Sequence, residues 1–319
     1  MTAFWWYTTA MRTPALVAVA VAAATATAAI AVAVAVAGPP PSDLAKVVIK
    51  PTKLTDSVYL LEGAGGNIGL SVGKDGGVLI DDQFAPLTAK ITAASRKLGA
   101  NKIKFVLNTH LHGDHTGGNE NLGKAGVVIL AHDNVRKRMS VEQFNEAMGS
   151  KVPPAPPAAL PVVTFTTDVT FHLNGDDIHV FHVDPAHTDG DSIVHFTKAN
   201  VVHMGDTFMT ISYPFVDTSS GGTFAGFIAA ADKVLAMSDA STKIIPGHGV
   251  VTDKAGLQAW RDMLATLRDR VAKQVAAGKT LEQVQAAKLT AEWDDRYGQK
   301  FIKPDQIVAV VYNELKTKR

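Results

Sequence analysis

Along the chain, short apolar runs alternate with longer stretches in which apolar residues return every three or four positions. Val58 to Leu61, Ile68 to Val72 and Val78 to Ile80 predict short strands, parted by turns at Gly63, Gly65 and Gly66 and at Asp75-Gly76-Gly77. Leu87 to Leu98 predicts an amphipathic helix and Ile103 to Leu107 a strand. A short helix follows from Asn119, then a strand at Val127 to Leu130 and a helix at Asn134 to Met148. Five prolines between Val152 and Pro161 exclude a helix or central strand there, leaving a spacer between half-domains or a wall of a cleft. Val162 to Val183 reads as strands folded over Asn174-Gly175, a pair suited to a two-residue hairpin turn. Ile193 to Phe196 and Val201 to Met204 extend that sheet. Phe224 to Met237 predicts a helix, Ile244-Ile245 a brief strand, and the remainder is largely helical. There Leu257, Trp260, Leu264, Leu267 and Val271 fall at core-facing spacing, and Thr280 with Gln283 makes a capping box.

The pattern repeats itself. Phe105-Val106-Leu107 leads to His110 and Gly113-Asp114, as Phe181-His182-Val183 leads to His187 and Gly190-Asp191. Val78 to Asp81 is echoed by Val201 to Asp206. Two strand-rich units with helices, set face to face, predict an α/β (α+β) fold: an αββα sandwich with its site along one edge of the two sheets.

Residues 1–37 stand outside that pattern. No charged residue occurs from Thr13 to Ser42, and Ala, Val and Ile dominate from Pro14 to Ala37. Ala35-Val36-Ala37 before Gly38 is a small-x-small cleavage pattern, so residues 1–37 read as a secretory signal to the periplasm or exterior. The run also has the length to span a bilayer, which makes an uncleaved anchor the alternative. Pro39-Pro40-Pro41 marks a linker over residues 38–46, and a single domain is expected over 47–319, with a helical extension from about residue 253.

Composition narrows the partners. With 319 residues, 46% hydrophobic and 19% charged, the chain fills one full-sized core. A net charge of +1, with Lys and Arg dispersed, gives no electrostatic footprint for nucleic acid. The expected partner is a small-molecule substrate, with no stable membrane partner unless the N-terminal segment stays uncleaved. Zero cysteines exclude disulfides, thiolate metal ligands and a Cys nucleophile together.

The run His110-Leu111-His112-Gly113-Asp114-His115 packs three imidazoles and a carboxylate into six residues at a predicted strand end. Folding requires no such density, because buried imidazole and carboxylate are costly unless paired or coordinated. The spacing turns His110 and His112 toward one point and leaves Asp114 and His115 for a second nearby. Three further candidates follow strands: His187 in Ala186-His187-Thr188-Asp189, Asp206 in Met204-Gly205-Asp206-Thr207, and His248 in Pro246-Gly247-His248-Gly249. His132, His172, His179, His182, His195 and His203 lie in or beside strands, and no catalytic role is expected for them.

In motif order and spacing, from about Val47 to Val251, this constellation resembles the metallo-β-lactamase superfamily of hydrolases. The resemblance implies two zinc ions, with His110, His112 and His187 on the first, Asp114, His115 and His248 on the second, and Asp206 bridging them. Asp81 matches the acidic residue that orients a ligand imidazole, with Asp82 as its neighbour and alternative. A hydroxide held between the metals would be the nucleophile, with Asp114 catalytic in holding it in line for attack. His and carboxylate ligands suit iron as well as zinc, so redox use is an alternative.

The resemblance implies an exported zinc-dependent hydrolase that opens a β-lactam or related cyclic amide or ester, with antibiotic resistance as its consequence. Thioesterases of the glyoxalase II kind and acyl-homoserine lactonases share the ligand set, and a non-hydrolytic periplasmic binding partner is the further alternative. The best-known β-lactamase subclass has Cys where Asp206 stands and Lys three residues on; this chain has Met209. Substrate contacts stay unassigned among Phe84, Tyr213, Phe215 and the Val152 to Pro161 loop. Arg136-Lys137-Arg138 is either an anion-attracting run or a solvated helix face.

Overall fold

Alternate residues of the strands part to opposite sides, and that parting builds the layers. The computed structural model describes residues 43–145 and 149–317; the expected signal and the start of the linker lie outside them. Strands β1 (Lys50–Lys53), β2 (Val58–Glu62), β3 (Ile68–Ser71), β4 (Gly77–Ile80), β5 (Ile103–Leu107) and β6 (Val128–His132) lie side by side in that order. A separate hairpin of β7 (Gln143–Asn145) and β8 (Ser150–Val152) follows, and β9 (Val163–Phe165) then joins the first sheet beside β6. The second sheet runs β10 (Asp168–Leu173), β11 (Asp176–His182), β12 (Ser192–Phe196), β13 (Val201–His203) and β14 (Lys243–Ile245).

Val78, Ile80, Leu107 and Leu130 of the first sheet pack against Ile178, Val180, Val194, Phe196, Val201 and Ile245 of the second. Their chain neighbours face outward. Leu79, Val106 and Ile129 bury against α1 (Thr88–Lys97) through Ile91. Phe181, Ile193, Val202 and Ile244 bury under α5 (Phe224–Met237), α6 (Lys254–Ala276) and α9 (Pro304–Thr317), with Phe227, Trp260, Leu264 and Val308 in the same cluster. The order helix, sheet, sheet, helix is the expected sandwich, and each fully buried Leu, Ile or Phe contributes about 1.5–3 kcal/mol. Among the described residues, no helix is long and apolar enough to cross a membrane.

Several local expectations change. The helix expected to run to Met148 stops at Met139, the end of α4 (Asp133–Met139), and Gln143–Asn145 pairs with Ser150–Val152 instead. Val163–Phe165 leaves the expected hairpin for the first sheet; only β10 and β11 fold over Asn174-Gly175, whose φ values are 54° and 79°. Strand β1 carries no apolar alternation, being exposed at all four positions, and for that reason was not foreseen. Leu44–Lys46, at the end of the expected linker, is a 3-10 turn held by the Lys90 ammonium, which donates to the Ala45 and Val47 carbonyls at 2.6 Å each.

Candidate metal centre

Five loops at strand ends converge on one buried cluster. Asp81 follows β4, His110, His112, Asp114 and His115 follow β5, His187 follows β11, Asp206 follows β13 and His248 follows β14. Strand ends suit this task because the sheet fixes each loop's origin while the loop backbone stays free to turn. Ligand atoms of His110, His112 and His187 lie within 4.8 Å of one another, as do those of Asp114, His115 and His248. A third such group joins His110, His115 and Asp206, one imidazole from each trio. Asp206 Oδ2 lies 3.4 Å from His248 Nε2, 3.5 Å from His187 Nε2 and 4.0 Å from His110 Nε2. Its Oδ1 lies 3.1 Å from His115 Nε2. The structure therefore brings all seven expected ligands together.

Hydrogen bonds fix which nitrogen of each ring faces inward. His187 Nδ1 lies 2.6 Å from the Phe215 carbonyl, so it is the protonated nitrogen. His112 Nε2 donates to Asp217 Oδ2 at 2.9 Å, and His115 Nδ1 to Asp81 Oδ2 at 2.7 Å. The Thr109 hydroxyl donates to Asp81 Oδ2 at 2.8 Å, which leaves its oxygen to accept from His110 Nδ1 at 3.0 Å. The inward nitrogens are thus His110 Nε2, His112 Nδ1, His187 Nε2 and His115 Nε2. His112 Nδ1 and His187 Nε2 stand 2.7 Å apart with lone pairs facing each other, a repulsion that a shared cation relieves.

Buried atoms without partners make the same demand. His110 Nε2 and Asp114 Oδ1 are both buried and accept or donate no hydrogen bond. Burial drives the His110 imidazole well below its ordinary pKa and His187 down to about 4, so both present lone pairs near neutral pH. Around the second trio the carboxylates dominate. Burial opposes protonation of His248, yet Asp206 and Asp114 raise it to about 10, and they lift His115 as well. The pocket therefore carries excess negative charge, and the donor set fits two divalent cations, one facing mainly imidazoles and one facing imidazoles with carboxylates.

Glycines give the loops their close approach. A Cβ on Gly247 would stand 2.0 Å from Asp206 Oδ1, and one on Gly66 would stand 2.1 Å from His115 Cε1. The side chain and backbone of Asn67 hold the Pro246–Gly249 loop, donating to the carbonyls of Pro246, Gly247 and Gly249.

Asp81, in the left-handed region at φ 65°, takes the orienting position on His115, whereas Asp82 accepts from Gly118 N at 2.9 Å. Thr109, Asp217 and the Phe215 carbonyl were not foreseen as orienting groups; each is a common residue whose partner is set by the fold. Asp191, seen only as part of the repeat, accepts from His187 N at 2.6 Å and Thr188 N at 3.0 Å. Of the unassigned substrate candidates, Phe84 is core, and Tyr213 spends its hydroxyl on Asp294 at 2.8 Å. The proline-rich loop packs Ala155 and Leu160 on Val135 and Met139 of α4. Arg138 forks onto Asp189 with two contacts of 2.7 Å, so it is spent on the loop that carries His187. His132 caps α4 and stacks on His182, and neither enters the cluster.

The family model of the metallo-β-lactamase superfamily matches residues 61–268. Hydroxyacylglutathione hydrolases from Pelagibacter ubique and Nitrosococcus oceani are each 26% identical to this chain, over 147 and 178 residues, or 46% and 56% of it. The matched part spans 52% and 60% of the length of those curated relatives. Among solved structures, the DIM-1 metallo-β-lactamase is similar at a TM-score of 0.56 and 18% identity, covering 69% of this chain and 99% of that one. The inverting sec-alkylsulfatase Pisa1 from Pseudomonas sp. is similar at a TM-score of 0.63 and 17% identity, covering 83% of this chain and 50% of that one. At such identities the structures speak for the fold, and the sandwich, the metal-binding cluster and a match over more than half of the sequence agree: the chain belongs to the metallo-β-lactamase superfamily.

Proposed function

We propose that the chain is a dinuclear zinc hydrolase that cleaves acyl bonds, with thioesters and esters preferred to β-lactams. The observation that carries the reading is Asp206, whose two carboxylate oxygens face imidazoles of both trios. His110, His112 and His187 would hold one cation, Asp114, His115 and His248 the other, and Asp206 both. When bound, such cations supply Lewis acidity and a nucleophile from water near neutral pH. Asp114 Oδ1, buried and without a partner, would accept the proton of the attacking water, while Asp81, Asp217 and the Phe215 carbonyl keep three imidazoles in their tautomers.

The substrate class rests on two observations. The curated relatives are named for hydrolysing an acyl conjugate of glutathione. Met209 is buried and uncharged, at the position where the resemblance to the best-known β-lactamase subclass would put a carboxylate-binding lysine. The uncharged apolar run from Pro14 to Ala37 supports export as part of the same proposal, tested by fractionating cells that express the protein.

The test is release of free thiol from a simple acyl thioester by protein of measured zinc content. With no cysteine in the chain, a thiol reagent sees only product. Release that a chelator abolishes supports the reading. Turnover of a chromogenic cephalosporin without thiol release would move the substrate to β-lactams. Neither activity from protein carrying two zincs would overturn acyl hydrolysis.

A further inference from the structure

An apolar surface begins inside the cluster and ends in solvent. The Phe215 ring lies nearly parallel to His112, with centroids 5.9 Å apart and planes at 19°, and meets His187 edge-on at 5.4 Å. Phe301 then meets Phe215 edge-on at 5.4 Å and is 46% exposed. Ile211, 41% exposed, adjoins Gly249, the residue after His248. The backbone holds these side chains in place. Ile302 N donates to Ser212 Oγ at 3.3 Å, Tyr213 N to the Tyr297 carbonyl at 3.1 Å, and Thr210 N to the His248 carbonyl at 3.1 Å.

Phe301 and Ile211 keep close to half of their apolar surface in water beside a buried polar cluster, an arrangement that marks a binding surface. Phe301 also lies beyond residues 61–268, where the superfamily match ends, so this part of the wall belongs to the chain's own helical extension. We propose that Phe215, Phe301 and Ile211 form a hydrocarbon-binding wall, and that the substrate carries an aryl or alkyl group of several carbons next to the bond that is cleaved. The proposal rests on the acyl-hydrolase reading for the placement of that bond. Its occupant follows from continuity: the wall starts at the ring that stacks on His112, so a molecule reacting at the cluster lies against it.

The test uses binding rather than turnover. Straight-chain carboxylates from acetate to octanoate, products of acyl hydrolysis, are titrated calorimetrically into the zinc-loaded protein. Affinity is expected to rise by about fourfold per methylene while the chain lengthens along the wall. Phe301→Ala should flatten that rise while zinc content holds at the wild-type level, and Phe301→Leu should keep part of it. Affinity independent of chain length, or a rise that Phe301→Ala leaves intact, would overturn the wall. So would a dimer that covers this surface and that Phe301→Asp dissociates. A clear rise in a protein with neither thioesterase nor cephalosporin-hydrolysing activity would keep the wall and discard the acyl-hydrolase reading. A flat series in a protein with that activity would do the reverse.

Discussion

Asp217 Oδ2 lies 2.9 Å from His112 Nε2, on the far side of the ring from the point where His112 Nδ1 meets His187 Nε2. This one carboxylate decides which nitrogen of His112 carries the proton and therefore which lone pair faces the cluster. Burial pushes the Asp217 carboxyl up, but the hydrogen bond and charge of His112, with bonds from Ser219 and Ser220, hold it well below the usual carboxylate range. Asp217→Ala should weaken zinc binding by about 10–100-fold. Asp217→Asn, whose amide oxygen still accepts from Nε2–H, should restore most of it. Competition with a chromophoric chelator gives both values, and wild-type affinity in the alanine variant would remove Asp217 from the site.

Asp206 answers to imidazoles of both trios, so its loss should be felt in stoichiometry as well as affinity. Asp206→Ala should shed most of the zinc facing Asp114, His115 and His248. Thiol release should fall by more than about 100-fold, beyond the cost of losing an outer hydrogen-bond partner. Metal analysis after gel filtration is the deciding measurement. Two equivalents retained would show that Asp206 is not shared.

Gly247 is the narrowest point of the backbone around the cluster. A methyl group there would meet Asp206 Oδ1 at 2.0 Å and the Gly205 carbonyl carbon and oxygen at 2.6 and 2.7 Å. The Gly205 backbone has little room to yield, because its carbonyl already accepts from Gly247 N at 2.7 Å. Gly247→Ala should therefore cost about 1–3 kcal/mol of stability through overpacking and displace Asp206 from the imidazoles. Thermal melts and zinc titrations read the two effects separately. An unchanged melting point would mean that the loop from Pro246 to Gly249 shifts freely.

Central strands were legible where burial on both faces leaves an unbroken apolar run, as in Val78 to Ile80. The clustering of the histidines was legible because three imidazoles and a carboxylate crowd one strand end, a local signal. Asp217 was not, because it lies 105 residues from His112 and nothing in the sequence around it marks the contact. Strand β1 was hidden for the opposite reason: an exposed edge strand with lysine at both ends carries no alternation to detect. The end of α4 was missed because Phe144 and its neighbours suit either a helix or a hairpin, and pairing with Ser150–Val152 decided between them.

His132 gives the fold a sensitivity to acid that is separate from metal binding. Its Nδ1 accepts from Asn134 N at 3.3 Å, capping α4, and its Nε2 donates to the Thr166 carbonyl at 3.1 Å. Its ring also stacks on His182, with centroids 3.8 Å apart and planes at 7°. Protonating Nδ1 would end the cap and set a charge against the second imidazole. Burial first, and the charge of His182 next, lower the His132 pKa in the folded protein. The unfolded chain, with an imidazole near 6.5, then takes up the proton first as pH falls. The stabilising contribution is whole above that unfolded value and is lost as pH drops through the lower folded one. The melting point should fall between pH of about 7.5 and about 5.5, and His132→Asn, which keeps a capping acceptor but does not titrate, should fall less. An equally steep fall in the asparagine variant would take the stacked pair out of the acid response and leave it to other buried imidazoles such as His203.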